Sequence, residues 1–178
     1  MSAAIAKSEV GRPDDSAGAL AQRLAGKYMT FKLAEEAYGF EILKVRELIG
    51  LMQITRVPRM PDFLRGVINL RGKVIPVIDM RLKFGMPTAE ATDQTVIIVV
   101  QCAVAGRDLT MGVLVEQVLE VLSIDASQIE PPPSFGVDAM DTDFILGVGK
   151  AAERVIFLLD IGQVLSTEDG KALAEAAA

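Results

Sequence analysis

Short stretches in which apolar and polar residues alternate make up most of the chain between residues 27 and 166. Met29, Phe31 and Leu33 alternate with more polar neighbours, which is typical of a strand with one buried face. Turn-forming residues separate the stretches, and residues 45–49 fit either a strand end or a helical turn. The pattern predicts strands over residues 28–33, 38–43, 54–57, 66–70, 73–78, 95–103, 109–115, 118–124, 144–148 and 154–159. We therefore expect an all-β protein.

A 23-residue unit occurs twice in the chain, 81 positions apart. Residues 62–84 read DFLRGVINLRGKVIPVIDMRLKF and residues 143–165 read DFILGVGKAAERVIFLLDIGQVL, with seven identical positions. A weaker alignment at an offset of 73 places residues 38–47 over 111–120 and matches Glu47 with Glu120. The copies of the unit differ at the turn between its two strands, which is NLRG in the first copy and KAAE in the second. A duplicated scaffold with one diverged turn indicates recognition rather than catalysis.

Two copies of about five strands predict two small barrels, the first mainly residues 27–90 and the second mainly 91–166. A unit of roughly 65–80 residues has only a marginal core of its own, so we expect the two lobes to bury a shared hydrophobic face. Residues 1–26 have no stable apolar period and are expected to be a flexible arm with a weak helix over 17–24. Residues 167–178 are expected to be an Ala-rich tail.

Composition and charge limit the possible functions. The net charge of −6, with scattered basic residues, argues against a nucleic-acid or anionic-membrane surface. The sequence has no histidine, so Ser-His-Asp triads, His-ligated zinc and a phosphoacceptor histidine are excluded, and it has no phosphate-binding glycine motif. The single cysteine, Cys102, fits a reducing cytosol. These features argue against an enzyme and favour a soluble intracellular binding protein without a metal or cofactor.

The longest motif resembles a known family. The stretch FLRGVINLRGKVIPVID at residues 63–79, together with YMTFKL at 28–33, YGFEILKVRE at 38–47 and ITRVP at 54–58, is similar to the CheW family of bacterial chemotaxis coupling proteins. The resemblance covers about residues 27–166. It implies two intertwined SH3-like five-stranded barrels with exchanged strands. It also implies a cytoplasmic adaptor, recruited to membrane-bound receptor arrays, that bridges the regulatory domain of the histidine kinase CheA and the cytoplasmic tips of chemoreceptors.

The diverged turn carries the main candidates for receptor binding. Arg71 has no counterpart in the second copy, where Ala152 is aligned with it, and the family resemblance places a functional arginine there. A guanidinium offers a rigid fork of donors to carboxylates or carbonyls. Asn69 belongs to the same diverged turn. The resemblance pairs Glu47 with the arginine, whereas its match to Glu120 in the second copy favours a scaffold role equally.

Five further positions are weaker candidates for partner contacts. Val96 and Ile98 alternate on one strand and are assigned to a receptor-binding groove between the lobes, with a buried core position as an equally good interpretation. The resemblance alone implies that Val45, Leu64 and Gly66 lie on the kinase-binding side, Gly66 by allowing close approach of a partner strand.

Four positions are expected to be structural. Asp79 and Asp160 occur in both copies and are predicted to cap short helices through about residues 84 and 165. Gly72 and Gly147 are predicted to meet backbone requirements, Gly72 in a tight hairpin turn.

Two alternatives remain at this level. One is a coupling homologue in a pilus-motility or surface-sensing pathway. The other is an enzyme using lysine or carboxylate chemistry, which would need a concave pocket with convergent ionisable groups.

Overall fold

Eleven strands and three helices make up the described structure, a computed structural model that describes residues 13–104, 106–132 and 144–164. The first half contains α1 (Pro13–Leu24), β1 (Gly26–Leu33), β2 (Glu36–Glu41), β3 (Val45–Gly50), β4 (Leu64–Leu70), β5 (Lys73–Asp79) and α2 (Met80–Lys83). The second half contains β6 (Val96–Val104), β7 (Arg107–Val115), β8 (Gln117–Ile124), β9 (Ile129–Glu130), β10 (Ile145–Ala151), β11 (Arg154–Leu159) and α3 (Ile161–Val164). Single 3-10 turns occur at Ile42–Lys44 and Ala126–Gln128. The all-β prediction is confirmed.

The strands form two sheets, each curled into an SH3-like barrel. One sheet has the order β3-β6-β7-β5-β4 and comprises residues 45–115; we call it the middle barrel. The other has the order β8-β1-β2-β11-β10-β9 and comprises residues 26–41 and 117–159; we call it the terminal barrel. Parallel pairings of β5 with β7 and of β11 with β2 hold the two sequence halves together inside each barrel.

The barrels do not follow the predicted division near residue 90. That position is the boundary between the repeats, whereas each barrel takes a hairpin from one repeat and its other strands, three in the middle barrel and four in the terminal barrel, from the other repeat. The β1–β2 hairpin of the first repeat completes the terminal barrel, and the β6–β7 hairpin of the second repeat completes the middle barrel. A division into residues 27–90 and 91–166 therefore does not separate the barrels, because one hairpin from each range belongs to the other barrel.

Three hydrophobic clusters explain why the two barrels form one body. The terminal barrel encloses one around Tyr28, Ile124 and Ile156, and the middle barrel encloses another around Ile75, Val77 and Ile97. The third and largest cluster contains residues from both sheets and lies between them. Its buried members are Met29, Phe31, Leu33, Tyr38, Phe40, Phe63, Leu64, Ile78, Met80, Ile98, Val100, Cys102, Met111, Val113, Val115, Leu159, Ile161 and Val164. The expected shared hydrophobic interface is present.

The first helix differs from the expected flexible arm. The helix predicted over residues 17–24 is present, begins at Pro13 and packs Ala21, which is 6% exposed, against the terminal barrel. Residues 1–12 and the predicted tail at 167–178 lie outside the described residues.

Candidate functional site

The β4–β5 turn places Arg71 at the tip of a two-residue hairpin. Leu70 and Lys73 are paired across it, and both central residues have positive φ, 52° at Arg71 and 86° at Gly72. These angles are typical of a type I′ turn, which suits the twist of adjacent strands. The Asn69 side-chain oxygen accepts a hydrogen bond from the Gly72 amide at 2.9 Å. Asn69 therefore braces the turn that presents Arg71.

Arg71 and Glu47 form a bidentate ion pair on the surface of the middle barrel. Arg71 donates from Nη1 to Oε1 of Glu47 at 2.7 Å and from Nη2 to Oε2 at 2.8 Å. Since β3 and β4 are the two edge strands of the sheet, the pair bridges the seam where the barrel closes. The hydrogen bonds from Arg71 lower the pKa of the Glu47 carboxyl, and the same contact raises the pKa of Arg71.

The exposure of the pair is unequal. The Arg71 side chain is 73% exposed and that of Glu47 is 27% exposed. A fully solvated pair adds little to fold stability because water and salt screen it. The geometry instead holds the guanidinium in one orientation with further N–H donors facing solvent.

The terminal barrel has the same turn without the same chemistry. Ala152 and Glu153 have φ of 51° and 61°, so the backbone conformation is preserved in the second copy. Glu120 occupies the place of Glu47, but Ala152 offers it no guanidinium. Lys150, aligned with Asn69, pairs with Glu130 at 2.8 Å instead. The bidentate pair of Arg71 with Glu47, which we call the fork, therefore occurs in the middle barrel and not in the terminal barrel.

Val96 and Ile98 lie in the shared core and not in an open groove. The Ile98 side chain is fully buried, and Val96 is half-buried against the same cluster. Their neighbours Ile97 and Val99 point into the interior of the middle barrel. Both faces of β6 are covered, so the receptor-binding assignment of Ile98 is corrected to a core role, and Val96 has only limited access to solvent.

The three predicted kinase-contact residues do not form an exposed apolar patch. Leu64 is 6% exposed and Val45 is half-buried against the shared core. Gly66 has φ of +144°, and a Cβ there would lie 2.1 Å from the Thr55 carbonyl oxygen. Thr55 pairs with Val67 in an isolated bridge, so the strand that approaches Gly66 closely belongs to this chain and not to a partner.

The predicted caps and glycine positions are present. Asp79 accepts hydrogen bonds from the Arg81 amide at 2.9 Å and the Leu82 amide at 3.4 Å, and its other oxygen pairs with Arg65 at 3.0 Å. Asp160 likewise accepts from the Gly162 amide at 2.9 Å. At Gly147 a Cβ would lie 2.9 Å from the Glu130 carbonyl oxygen.

Gly72 is less constrained than predicted. Nothing lies within 4 Å of a Cβ built on it, and Glu153 adopts a similar positive φ at the aligned position. Glycine there lowers the strain of the turn but is not the only residue that fits.

The sequence patterns did not indicate the exposed apolar residues on β3 and at its two ends. Leu43 is 80% exposed at the crossing from β2 to β3, and Leu48 is 42% exposed on β3. Leu51 and Met52 follow at the end of β3 with 45% and 36% exposure. The sequence signal that could have indicated them is the pair of consecutive apolar residues Leu48 and Ile49, which interrupts the alternation of apolar and polar residues along β3.

The Cys102 thiol and the Tyr28 hydroxyl are both in buried residues. Burial raises the pKa of the Cys102 thiol to about 11 and that of Tyr28 to about 12, so neither ionises near neutral pH. In residues 13–104, 106–132 and 144–164, no group of three or more acidic or cysteine side chains has the placement of a metal site. No helix within those ranges has the length and apolar character needed to cross a bilayer.

The fold defines a duplicated, interlocked pair of SH3-like barrels, and one of them carries the charged turn with Arg71. The family model described as the CheW-like domain matches residues 27–169, and the chain belongs to this family. The chemotaxis protein CheW of Klebsiella aerogenes is 39% identical over 156 residues, which cover 85% of this chain and 91% of that protein.

A solved structure and a relative with another name add to this comparison. The scaffolding protein TtCheW from Thermoanaerobacter tengcongensis has a TM-score of 0.70 and 36% identity, covering 82% of this chain and 96% of that one. Protein FrzA of Myxococcus xanthus is 30% identical over 162 residues, which cover 90% of this chain and 98% of FrzA.

Proposed function

We propose that the chain is a chemotaxis adaptor that couples the histidine kinase CheA, through its regulatory domain, to the cytoplasmic tips of chemoreceptors. The observation that carries the proposal is the exposed bidentate pair of Arg71 and Glu47, which occurs in one barrel of a duplicated scaffold. The second copy keeps the conformation of the turn with Ala152 in place of the arginine, so the hairpin does not need the guanidinium to form.

The receptor contact is assigned to the fork and its surroundings. Glu47 uses one N–H on each of Nη1 and Nη2 of Arg71, and the guanidinium retains donors for carbonyl or carboxylate oxygens on a helical tip. Leu48, the next residue on β3, is 42% exposed and adds apolar surface on the opposite face of the strand, because successive strand side chains point to opposite faces. This combination of an arginine with neighbouring apolar side chains is common in protein interfaces.

The kinase contact is assigned to the end of the middle barrel near the start of β4. Leu64 and Gly66 shape this end from inside, and Leu51 and Met52 supply its exposed apolar surface. Val45, Leu64 and Gly66 then act by positioning backbone and neighbours, since their own side chains offer little surface.

The adaptor acts without catalysis or cofactor. The protein works in the cytoplasm and reaches the membrane through its receptors. The family relationship and the low reactivity of Cys102 and Tyr28 support this part of the proposal.

Reconstitution tests the proposal directly. The purified chain is mixed with CheA and a receptor tip fragment, and complexes are separated by size-exclusion chromatography with light scattering. A ternary complex is expected. Absence of co-elution with both partners would refute the coupling function.

The alternative is a coupling homologue in a pilus-motility or surface-sensing pathway, and the similarity to FrzA, a relative that does not carry the name CheW, keeps it as the second candidate. The same reconstitution with kinases and receptors from each pathway of the host decides between them. Preferential binding to the set that is not linked to flagellar genes would favour the alternative.

A further inference from the structure

The basic side chains of this acidic protein are concentrated in one segment. Residues 42–83 contain nine lysine or arginine residues and three acidic residues, whereas the whole chain has a net charge of −6. Two of the three acidic residues are already paired, Glu47 with Arg71 and Asp79 with Arg65. The segment therefore carries an excess of positive charge that the rest of the middle barrel does not neutralise locally.

Three cations of this segment flank the fork along the chain. Lys44 ends the turn before β3, Arg46 precedes Glu47 on β3, and Lys73 begins β5 directly after the β4–β5 turn. Arg46 and Lys73 are exposed and Lys44 is half-buried. Among the described residues, no carboxylate lies within ion-pair distance of any of the three. Together with Arg71 they form a surface that we call the basic end of the middle barrel.

Helix α3, where the described part of the chain ends, lies at the same end of this barrel. Antiparallel pairing places Val45 opposite Val100 of β6, so Ala103 lies about 10 Å further along β6, on the side from which Lys44 enters β3. A Cβ on Gly162 of α3 would lie 2.9 Å from the Ala103 carbonyl oxygen. The helix therefore packs against the end of β6 that is nearest to Lys44.

The electrostatics of Cys102 agree with this placement. Burial raises the pKa of its thiol to about 11, and of the charges nearby Lys44 lowers this pKa whereas Asp160 raises it. Asp160 caps α3 through the Gly162 amide. The cap of α3 and Lys44 are thus close to the same side chain, and the chain leaves α3 beside the basic end.

The sequence after α3 is acidic within reach of this surface. Glu168 and Asp169 are the fourth and fifth residues after Val164, where α3 ends. An extended chain of four to five residues spans roughly 13–18 Å, which exceeds the step along β6 from α3 to the start of β3. Two adjacent carboxylates can therefore reach the cations at the start of β3 without any change in the barrels.

The N-terminal arm is a poorer match for the same surface. Residues 1–12 contain two basic residues and one acidic residue. The helix that follows them, α1, packs on the terminal barrel. Charge and point of attachment both favour the segment after α3 as the occupant.

We propose that the C-terminal segment, residues 165–178, docks on the basic end of the middle barrel through Glu168 and Asp169. The contact goes beyond the proposed function, whereas its effect on receptor binding rests on that function. Because Arg71 belongs to the docking surface, the docked segment competes with the receptor tip for the same guanidinium. The charges involved are solvated, so added salt weakens the contact.

One carboxylate beside the exit of the chain limits where the segment can dock. Asp108 is exposed on β7, opposite Ala103, and it repels acidic residues nearby. In the sheet order β3-β6-β7, Asp108 lies on one side of β6 while Lys44 and Arg46 lie on the other. The attraction therefore comes from the β3 side, and the segment is expected to turn toward β3 and the fork.

A spin label on the segment tests the contact in the full-length chain without any partner. Ala172→Cys provides the attachment site, and Cys102 stays unlabelled because it is buried and its thiol has a pKa of about 11. At low salt the nitroxide is expected to broaden the amide NMR signals of residues 44–47 and 70–73, and not those of residues 123–130 in the terminal barrel. At about 0.5 M salt the broadening is expected to disappear.

Charge variants show whether the two carboxylates carry the contact. Glu168→Gln combined with Asp169→Asn is expected to abolish the broadening, and Glu175→Gln, the matched control, is expected to retain it. Lack of broadening at residues 44–47 at low salt overturns the inference, as does broadening that survives in the double variant. Broadening of an isotope-labelled chain by the spin label of a second chain would identify a second copy as the occupant and overturn the intramolecular contact.

Receptor binding then measures the consequence. At low salt the Glu168→Gln, Asp169→Asn chain is expected to bind a receptor tip fragment about threefold more tightly than the unaltered chain, and at high salt equally well. Equal affinities at low salt, with the broadening present, would overturn the competition and leave the contact standing. If neither protein binds the fragment, the receptor contact of the proposed function fails, and the spin-label result still decides the docking of the segment.

Discussion

Glu116 and Arg81 form an ion pair at 2.6 Å at the point where the chain passes from the middle barrel to the terminal barrel. Glu116 is the single residue between β7 and β8, and the same carboxylate oxygen accepts the Ala34 amide of the β1–β2 turn at 2.6 Å. One carboxylate thus connects α2 of the middle barrel with a hairpin of the terminal barrel.

Glu116→Gln is expected to lower the free energy of unfolding by about 1 kcal/mol, because it removes the charge that Arg81 and the Ala34 amide share. Urea unfolding at pH 7 measures the change. Glu120→Gln, an exposed carboxylate on β8, is the matched control and should shift the midpoint little. Equal effects of the two substitutions would contradict a specific role for the crossing.

The same carboxylate predicts an acid dependence of stability. Burial raises the pKa of Glu116, but the Ala34 amide and Arg81 outweigh it and hold the pKa below its ordinary value of 4.5. A carboxyl with a lowered pKa in the folded state contributes stability above its unfolded pKa and loses it as the pH falls through the folded value. As the pH falls below the ordinary carboxyl pKa of 4.5, the unaltered chain should lose its advantage over Glu116→Gln. Unfolding midpoints of both proteins across this range check the convergence.

Arg71→Ala should leave the unfolding midpoint unchanged and weaken receptor-dependent assembly more than kinase binding. The pair with Glu47 is solvated and contributes little to stability, whereas the fork is the proposed recognition element. Pull-down with receptor fragments and titration with the kinase domain separate the two effects. Arg71→Lys keeps the charge but loses the bidentate geometry, and it should restore only part of the receptor binding. Parallel loss of both partners together with unfolding would refute the assignment.

Gly66→Ala should destabilise the fold by at least about 2 kcal/mol, because it combines a positive φ with a clash against the Thr55 carbonyl. Gly147→Ala should cost less, since its Cβ contact is longer and its φ is not in the positive region. Gly50→Ala, with nothing within 4 Å, is the control and should be nearly neutral. Thermal and urea unfolding of the series give the order. A neutral Gly66→Ala would show that the Thr55 strand can move aside.

Ile98→Ala should destabilise the protein by roughly 2–5 kcal/mol, since the fully buried side chain lies in the shared core and its loss leaves a cavity. Val74→Ala, at a position that is 47% exposed, should cost well under 1 kcal/mol. Chemical unfolding measures both. Receptor binding by the folded fraction of Ile98→Ala should be retained, and a selective loss of binding with an intact fold would instead support the surface role first predicted for this residue.

Local patterns in the sequence located most of the strands and hairpins, but the strand predicted over residues 54–57 is only an isolated bridge at Thr55, and β9 was not predicted. The repeat located the β4–β5 and β10–β11 hairpins, and the shared Asp79 and Asp160 identified both helix caps. Each of these features depends on residues that are close in sequence, where turn chemistry and side-chain period act directly.

The arrangement of strands depends on contacts that no local pattern reports. The pairing of β2 with β11 joins residues more than a hundred positions apart, and it decides which hairpin completes which barrel. The alternation of Val96 and Ile98 allowed either a groove position or a core position. Ile98 is a core residue, because β6 is covered on both faces and each set of alternate residues is buried. The charged network of Glu116, Arg81 and Ala34 likewise joins three distant segments.

The reciprocal hairpin exchange gives the chain the connectivity of a domain-swapped dimer whose two subunits have been fused in tandem. The 85–95 segment then corresponds to the fusion joint and is not itself a strand of either sheet. Neither half of the polypeptide contains all the strands of any barrel, so a chain severed at this joint would yield fragments that complete each other. Each half of the present chain therefore depends on a hairpin from the other half to complete its barrel.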